Sequence, residues 1–382
     1  MIFRLKSTVL RTNLQAKGFR GLTLIEFLFL IAIITLIFAT VIPLISRSRE
    51  NARTTACQYN LKQIAEANLS YTSAAGYLPP GYFWAVRGGG GPSRGFEISH
   101  GPLVSLLPFL EEQKTYQAIN FNCNIYSAAN FSVCQQKISL FICPADRIAM
   151  AENLLPNNRI ADIPEELKNR VHPVPRANYA GVVGPWVINT WKISSESIGE
   201  RATFGDAQQA QLGLFNACSS VRMESIRDGA STTIAFGEHT LLQVPEDQRA
   251  DSHWWFSGTH GDTLISTMFP INALSRKLSD VKVGAISASS AHINKVNFAF
   301  MDGSVRAIRD TISSSDSYAT TAPAGGNGQP HPQLWINSDT EADSIGPDPY
   351  WDTIFKIKKG KRFGLYQALS TRAGSERIPE DF

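Results

Sequence analysis

The chain has 382 residues, of which 43% are hydrophobic, so it is long enough for one large or two medium domains with a sizeable core. Its formal net charge is only +3. A nearly balanced charge argues against nucleic-acid binding, which needs concentrated positive charge on one surface.

The N-terminal segment combines a basic leader with a long apolar run. Five basic residues and no acidic ones precede Gly21. The apolar run begins at Leu22 and contains one carboxylate, Glu26, whose presence in a bilayer is costly and therefore needs a reason. The 16 residues 27–42 carry no charge, which is longer than the core of a cleaved secretory signal. A plain membrane anchor fits this length, but it does not explain the pattern from Gly21 to Glu26.

A second, amphipathic helical pattern follows Pro43 without a break. Small and apolar residues recur there near helical spacing, with polar residues between them. We expect Pro43 to kink the helix rather than end it, and Gly76 is the first strong stop signal. The sequence therefore predicts one helix from Leu22 to about residue 73, whose second half packs its apolar stripe onto the following domain.

The body of the chain has a different composition. From Leu78 onward, glycine, proline, serine and aromatic residues punctuate short apolar runs, which is typical of an antiparallel β-rich domain with long loops. A short helix is predicted at 103–116, and strands are predicted at 138–142 and 232–236. The predicted fold class is therefore α+β, with a long N-terminal helix followed by an antiparallel β-rich globular head.

The clearest hairpin pattern lies near the end of this head. Apolar residues alternate with smaller or polar ones over 296–300, which is the period of a half-buried strand. Asp302-Gly303 follows, and this pair is favoured at the centre of a two-residue type I′ turn. Such a turn places Phe298 opposite Ala307.

These patterns divide the chain into five segments. They are a basic leader (1–21), a transmembrane helix (22–45), an amphipathic extension of the same helix (46–76), an extracytoplasmic β-rich head (77–353) and a basic C-terminal tail (354–382). The tail is assigned because five of the seven residues 356–362 are basic, and such a run is usually solvated. The positive leader orients the helix so that the head lies outside the cytoplasm.

The five cysteines are Cys57, Cys123, Cys134, Cys143 and Cys218, and no CxxC pair exists, which argues against a zinc ribbon. Disulfides are permitted once the head lies outside the cytoplasm. Cys123, Cys134 and Cys143 are close enough in sequence for one local bridge, and an odd count leaves at least one thiol over. The pairing stays open.

The order of basic leader, Gly21, Glu26 and long apolar helix resembles the N-terminus of type IV prepilins. With Leu22 as the new N-terminus, Glu26 is the fifth residue and Pro43 the twenty-second, as in pilins. The resemblance implies cleavage between Gly21 and Leu22 by prepilin peptidase and N-methylation of Leu22. It also implies that Glu26 pairs with the amine of a neighbouring subunit and fixes the register of assembly. The chain departs from the pattern at Leu22, where pilins most often carry phenylalanine.

A second resemblance covers roughly residues 17–310. His292, Asp302 and Gly303 fit an H-x9-DG pattern. This pattern marks the C-terminal domain of a large prepilin-like family, best known from planctomycete-type bacteria. The body of that family is a domain of unknown function that is sometimes labelled solute-binding-like. Further pieces are similar in order, at residues 60–64, 107–111, 141–146, 178–181 and 228–233.

Two features suggest a metal site. His292 is a candidate ligand or acid–base group, although a lone histidine is more often a structural residue bonded to a loop. Asp339, Glu341 and Asp343 alternate like the first half of a calcium loop, but the glycine and the terminal glutamate of an EF-hand are missing. The sequence therefore predicts no metal or cofactor, with calcium at these three carboxylates as the alternative.

We expect a structural protein rather than an enzyme. The leading hypothesis is a pseudopilin-like subunit of a type II secretion or type IV pilus-like assembly, held in the cytoplasmic (inner) membrane or assembled into a periplasmic or surface filament. Its expected partners are the prepilin peptidase and methyltransferase, other pilin-like subunits and the membrane, with no nucleic acid. The alternative is a membrane-anchored protein whose head binds a solute or polysaccharide and which does not polymerise.

Overall fold

The structure is a computed structural model. It describes residues 23–86, 96–151, 154–156, 171–173, 175–185, 212–216, 221–246, 249, 252–273, 286–314, 340–344, 353–357, 362–374 and 378–379. The chain divides into two compact units, Met1–Asn51 and Ala52–Phe382. The first unit contains the N-terminal part of a long helix, and the second contains the rest of that helix and the head.

The long helix, α1, runs from Leu24 to Ala75 and continues through Pro43, as predicted. It begins with a capping box, because the Glu26 carboxylate accepts hydrogen bonds from the backbone N–H (2.8 Å) and the hydroxyl (2.9 Å) of Thr23. It ends before Gly76, which has a φ of 80° and donates its N–H to the carbonyl of Thr72 at 2.8 Å.

Between Phe27 and Ile45, α1 carries apolar residues on all sides, and polar or charged residues follow at 46–51. Within the part of the chain that the structure describes, α1 is the one helix long and apolar enough to cross a membrane. Its most apolar 18-residue window has a mean hydropathy of 2.9, and none of that window is buried. The helix is therefore consistent with a single membrane anchor or a signal.

Eleven strands are described, and they form one five-stranded sheet and three two-stranded pairs. They are β1 (Trp84–Val86), β2 (Phe96–Ile98), β3 (Leu154–Pro156), β4 (Val171–Pro173), β5 (Tyr179–Val182), β6 (Ile234–Glu238), β7 (Leu264–Ile265), β8 (Lys295–Phe300), β9 (Val305–Arg309), β10 (Thr340–Ser344) and β11 (Thr353–Ile357). The five-stranded order is β7-β5-β6-β8-β9. All neighbours in it are antiparallel except β5 and β7, so the sheet is mixed.

Short helices connect these strands. They are α2 (Pro102–Leu106), α3 (Gln113–Ala118), α4 (Phe131–Cys134), α5 (Arg147–Met150) and α6 (Leu365–Ala368). The helix predicted at 103–116 is present as α2 and α3, separated by a 3-10 turn that contains Pro108. Together with α1 and the mixed sheet, these elements confirm the predicted α+β fold class.

Of the two strands predicted in the head outside the hairpin, one is present and one is not. The strand predicted at 232–236 is confirmed as β6. The strand predicted at 138–142 is wrong, because Ser139–Phe141 forms a 3-10 turn. Ile138 and Phe141 are both buried, and their i, i+3 spacing places them on one side of such a turn.

The hairpin between β8 and β9 is confirmed, but its predicted register is wrong by one residue. Phe298 lies opposite Arg306 rather than Ala307. The loop has three residues, since Phe300 and Ser304 close it with a hydrogen bond of 2.9 Å. Gly303 is the last loop residue and has a φ of 82°, which is typical of a three-residue loop that ends in the left-handed conformation.

The five-stranded sheet has a buried cluster on each face. One cluster includes Leu61 and Ile64 of α1 together with Ala299 and Met301. The other includes Phe298 and Phe300 together with Tyr366 and Leu369. Because side chains alternate along a strand, the second half of α1 and the C-terminal helix α6 pack on opposite faces of β8.

The C-terminal segment needs a correction. The sequence assigns residues 354–382 to a basic tail, yet Tyr366 and Leu369 are fully buried. The carbonyl of Leu369 accepts the N–H of Ile234 at 2.8 Å, at the start of β6. The run of basic residues at 356–362 led to this assignment, but a buried segment follows it, and residues 366–371 belong to the core of the head.

Candidate functional site at the helix–sheet junction

The H-x9-DG motif lies along α1. The Nδ1 atom of His292 is 3.2 Å from the hydroxyl oxygen of Thr54, and the Gly303 carbonyl accepts a hydrogen bond of 2.9 Å from the ammonium of Lys62. Between them, the Asn297 side chain accepts a hydrogen bond from Gln58 at 3.0 Å. Both ends of the motif therefore fasten the sheet to the second half of α1.

A disulfide bond strengthens the same junction. Cys57 of α1 is bonded to Cys143, 86 residues further along the chain, with their Cα atoms 5.2 Å apart. The local bridge that the sequence allowed among Cys123, Cys134 and Cys143 does not form, and Cys123 and Cys134 carry free thiols. Cys218 lies outside the described residues.

Four side chains that could bind a metal ion lie close together here, and two of them are the bonded cysteines. The Sγ atoms of Cys57 and Cys143, a carboxylate oxygen of Glu238 and a ring nitrogen of His292 all lie within 4.8 Å of one another, and all four residues are buried. We name these residues the buried quartet. The Nε2 atom of His292 is 3.7 Å from Cys143 Sγ and 3.8 Å from Glu238 Oε1.

Glu238 is held by several donors. Its Oε2 accepts hydrogen bonds from the Ser290 hydroxyl at 2.8 Å and the Asn297 N–H at 3.0 Å, and its Oε1 accepts the Asn297 amide at 2.9 Å. Burial raises the pKa of Glu238, while His292 and these hydrogen bonds oppose the increase. The carboxyl group is therefore fixed in position and sensitive to any charge placed next to it.

A second network positions Cys143. The side-chain oxygen of Asn178 accepts the Cys143 N–H at 2.9 Å, and its amide donates to the buried Asp146 at 2.9 Å. Asp146 also caps α5 through the N–H groups of Ile148 and Ala149, both at 3.0 Å. The motif pieces at 141–146 and 178–181 thus form one unit that places Cys143 against α1.

The other predicted site residues lie elsewhere or outside the described part. Gly21, Leu22 and Asp339 are outside it, whereas Glu341 and Asp343 lie on strand β10. Asp302 is exposed, and its carboxylate accepts the N–H of Ser304 at 2.8 Å within the hairpin loop. The structure therefore brings His292 into the buried quartet and leaves Asp302 with a local structural role.

Sequence reasoning missed Glu238, Cys57 and Cys143 as neighbours of His292. The four residues of the quartet are spread along the chain, so no ligand spacing reveals them. The sequence contained only an indirect indication of these neighbours. Each residue of the quartet lies in or near a sequence segment that resembles the second family.

The head also contains a pocket that none of the quartet residues lines. It has a volume of about 350 Å³ and is lined by Tyr71, Phe83, Ser99, His100, Ser105, Tyr116, Ile119, Asn120, Phe121, Cys123 and Ile125. Phe83 stacks on His100 with ring centroids 4.6 Å apart, and Phe121 packs edge-on to His100 at 5.3 Å. Burial lowers the pKa of His100 to about 4, so this ring is neutral at neutral pH.

Comparison with known proteins identifies one family. Residues 46–315 match the family described as "Protein of unknown function (DUF1559)", SBP_bac_10. No curated protein matches the chain, and no solved structure matches it. The matched region covers more than half of the chain and contains the second half of α1 and the entire buried quartet.

Proposed function

We propose that this chain, which belongs to the DUF1559 family of proteins of unknown function, is a pseudopilin-like structural subunit of a type II secretion or type IV pilus-like assembly. The prepilin resemblance at Gly21, Leu22 and Glu26 supports this role. In this proposal the precursor is cleaved after Gly21, methylated at Leu22, and anchored in the cytoplasmic membrane with its head outside.

The continuity of α1 is the observation that carries this proposal. The helix leaves its apolar first half and enters the core of the head without a break. Leu36 is 67% exposed in the first half, whereas Leu61 is fully buried in the second. Apolar side chains that are exposed over a whole helix need a bilayer or neighbouring helices around them. A filament subunit needs an apolar helix of this kind to pack against neighbouring subunits, and α1 provides one that continues into the head.

The helix–sheet junction supports the same role. The Cys57–Cys143 bond and the contacts of Thr54, Gln58 and Lys62 prevent α1 from sliding against the sheet. A protein that only displays a binding domain at a membrane does not require this rigidity, because a flexible linker to its anchor is sufficient. A buried disulfide also fits a head that lies outside the cytoplasm.

Glu26 provides the test of assembly. We expect Glu26→Ala to leave the protein in the membrane but to lower its incorporation into filaments or cross-linked oligomers at least tenfold. Thr23→Ala is the matched control, because it removes the hydrogen bond from the Thr23 hydroxyl to Glu26 while keeping the Glu26 carboxylate and the backbone N–H that bonds to it. Wild-type incorporation of Glu26→Ala, or equal loss in Thr23→Ala, would contradict the register role. Incorporation is measured by quantitative immunoblotting of sheared filaments and of cross-linked membranes.

The aromatic pocket favours a second candidate function, binding of a neutral carbohydrate by a membrane-anchored head. The described residues that line the pocket include no Asp, Glu, Lys or Arg, and His100 is neutral. Aromatic faces pack against the C–H faces of sugars, and Ser99, Ser105 and Asn120 offer hydrogen-bonding groups.

This candidate is tested by titrating the full chain in detergent with neutral and anionic oligosaccharides while following tryptophan fluorescence or native mass. We expect a neutral sugar to bind and Phe121→Ala to weaken it at least tenfold. Tyr59→Ala is the control, because Tyr59 is 61% exposed and is not a lining residue. Absence of binding across the panel would remove this candidate and leave the structural proposal untouched.

A further inference from the structure

The buried quartet has the approximate dimensions of a tetrahedral metal site, because its four ligand atoms lie within 4.8 Å of one another. With Zn–S bonds of about 2.3 Å and Zn–N bonds of about 2.0–2.1 Å, a tetrahedral site has S···N edges of roughly 3.5 Å and S···S edges of roughly 3.8 Å. The His292 Nε2 to Cys143 Sγ distance is 3.7 Å. The sulfur atoms are closer than such an edge only because they are bonded to each other.

We propose that Cys57, Cys143, Glu238 and His292 bind one divalent cation of the zinc class when the disulfide bond is reduced. The junction between α1 and the sheet then has two alternative cross-links, a disulfide bond in the oxidised protein and a metal ion in the reduced protein. This proposal does not depend on whether the chain assembles into filaments.

The residues around the quartet orient the ligands as a metal site requires. Thr54 faces Nδ1 of His292, so a proton on Nδ1 points to this hydroxyl and the lone pair of Nε2 points to Cys143 and Glu238. Asn297 and Ser290 hold the Glu238 carboxylate. Zinc-bound histidines and carboxylates are normally fixed by such outer contacts.

The charges of the quartet also favour a cation. A disulfide bond needs no buried carboxylate beside it, yet Glu238 is only 2% exposed. Reduction adds two ionisable thiols to the same space. A dication offsets the negative charge of two thiolates and a carboxylate in surroundings where water cannot do so.

The chemistry of the exchange balances with a dithiol as the reductant. The dithiol supplies two electrons and two protons, so the Cys57–Cys143 bond breaks, two thiols form and the reductant becomes a disulfide. Metal binding then releases the two thiol protons to solvent as two sulfur–metal bonds form, while His292 binds as neutral imidazole. Oxidation by a disulfide-class oxidant reverses both steps and releases the cation.

The direct test uses the wild-type full chain in detergent. One sample stays oxidised, and the other is reduced with dithiothreitol without oxygen and freed of reductant. Both are incubated with Zn²⁺ or Co²⁺ and desalted. We expect one metal per reduced chain by elemental analysis, sulfur-to-cobalt charge-transfer absorption, and less than a tenth of that metal in the oxidised chain. A reduced chain that retains no metal overturns the proposal, as does one that unfolds and is not refolded by Zn²⁺.

Alkylation identifies the two cysteine ligands without a substitution. We expect Zn²⁺ to slow the alkylation of Cys57 and Cys143 in the reduced chain at least tenfold and to leave the half-buried Cys123 unchanged. A His292→Gln variant should lose the cobalt spectrum, whereas Cys123→Ser should keep it. Equal protection of Cys123, or a cobalt spectrum that survives replacement of both Cys57 and Cys143 by serine, assigns the metal to other groups and overturns the proposal.

Discussion

Residues 24–51 and 52–75 belong to the same helix, yet their surroundings differ completely. From Leu24 to Ile45 the first part carries isoleucine, leucine and phenylalanine on every side, and these side chains are exposed. The second part buries one face, which includes Cys57, Leu61 and Ile64, and keeps the other face in solvent. Both parts are α-helical, so secondary structure alone does not decide what a helix does.

The difference shows which information is local. The environment of an apolar segment with a basic leader can be predicted from that segment alone, because any 20-residue stretch of this composition favours a bilayer. The face of the second part is defined by partners such as Cys143, Glu238 and His292, which are far away in sequence. The contributions of the two parts can be compared by measuring the free energy of unfolding of variants of the full chain in detergent. Urea unfolding is followed through the buried Trp254 and Trp255.

Removal of the disulfide bond should have the largest effect. The bond closes a loop of 86 residues, so the chain-entropy relation predicts that Cys57→Ala lowers the free energy of unfolding by about 4.5 kcal/mol. Cys123→Ser is the matched control and should change it by less than about 0.5 kcal/mol. A loss below about 1 kcal/mol in Cys57→Ala would show that the bond adds little to the junction.

A leucine-to-alanine substitution in each part of α1 compares the two parts most directly. Leu61→Ala should lower the free energy of unfolding of the head by about 3 kcal/mol, because Leu61 is fully buried. Leu36→Ala should leave it within about 0.5 kcal/mol, because Leu36 is 67% exposed and lies in the other unit. Similar losses in both variants would mean that the two parts do not have separate roles.

Gly303 tests the contact of the hairpin loop with α1. An alanine there must adopt a φ of 82°, and its Cβ would lie 3.2 Å from a methyl carbon of Leu69. We expect a loss of about 2 kcal/mol. Gly76→Ala is the control, because its φ is 80° but no described atom lies within 4 Å of the added Cβ, and it should lose about 1 kcal/mol. Equal losses would show that the contact with Leu69 is not restrictive.

Lys62 should have the smallest effect. Lys62→Met removes the hydrogen bond to the Gly303 carbonyl but keeps the aliphatic chain, so we expect a loss of about 0.5–1 kcal/mol. Glu66→Gln removes only the exposed ion pair with Lys62 and should cost about 0.3 kcal/mol. If Glu66→Gln costs as much as Lys62→Met, the ion pair rather than the hydrogen bond explains the role of Lys62.

Sequence reasoning succeeded where the pattern is local. The long helix, strand β6 and the hairpin after His292 could be predicted because periodicity and turn residues are readable within a few positions. The register of the hairpin was wrong because Asp302-Gly303 suits loops of two and of three residues, and the contact of Gly303 with Lys62 and Leu69 of α1 is not visible in the sequence.

The candidate site could be predicted only in part. The H-x9-DG motif identified His292 as a candidate site residue. Its partners Cys57, Cys143 and Glu238 could not be predicted, because only the packing of α1 on the sheet brings them together. The burial of Tyr366 on the other face depends on the same kind of long-range contact. Such contacts are a property of the whole core, and one sequence does not contain a spacing rule for them.

The most direct test of the central claim, that the first part of α1 is a processed membrane anchor and the second part belongs to the head, is the mass of the N-terminus of the protein from native membranes. We predict that the mature chain begins with N-methylated Leu22, since only cleavage after Gly21 makes Glu26 the fifth residue. The head should remain attached to the membrane after this cleavage. An intact Met1, or a cut beyond Pro43 that releases the head, would contradict the account.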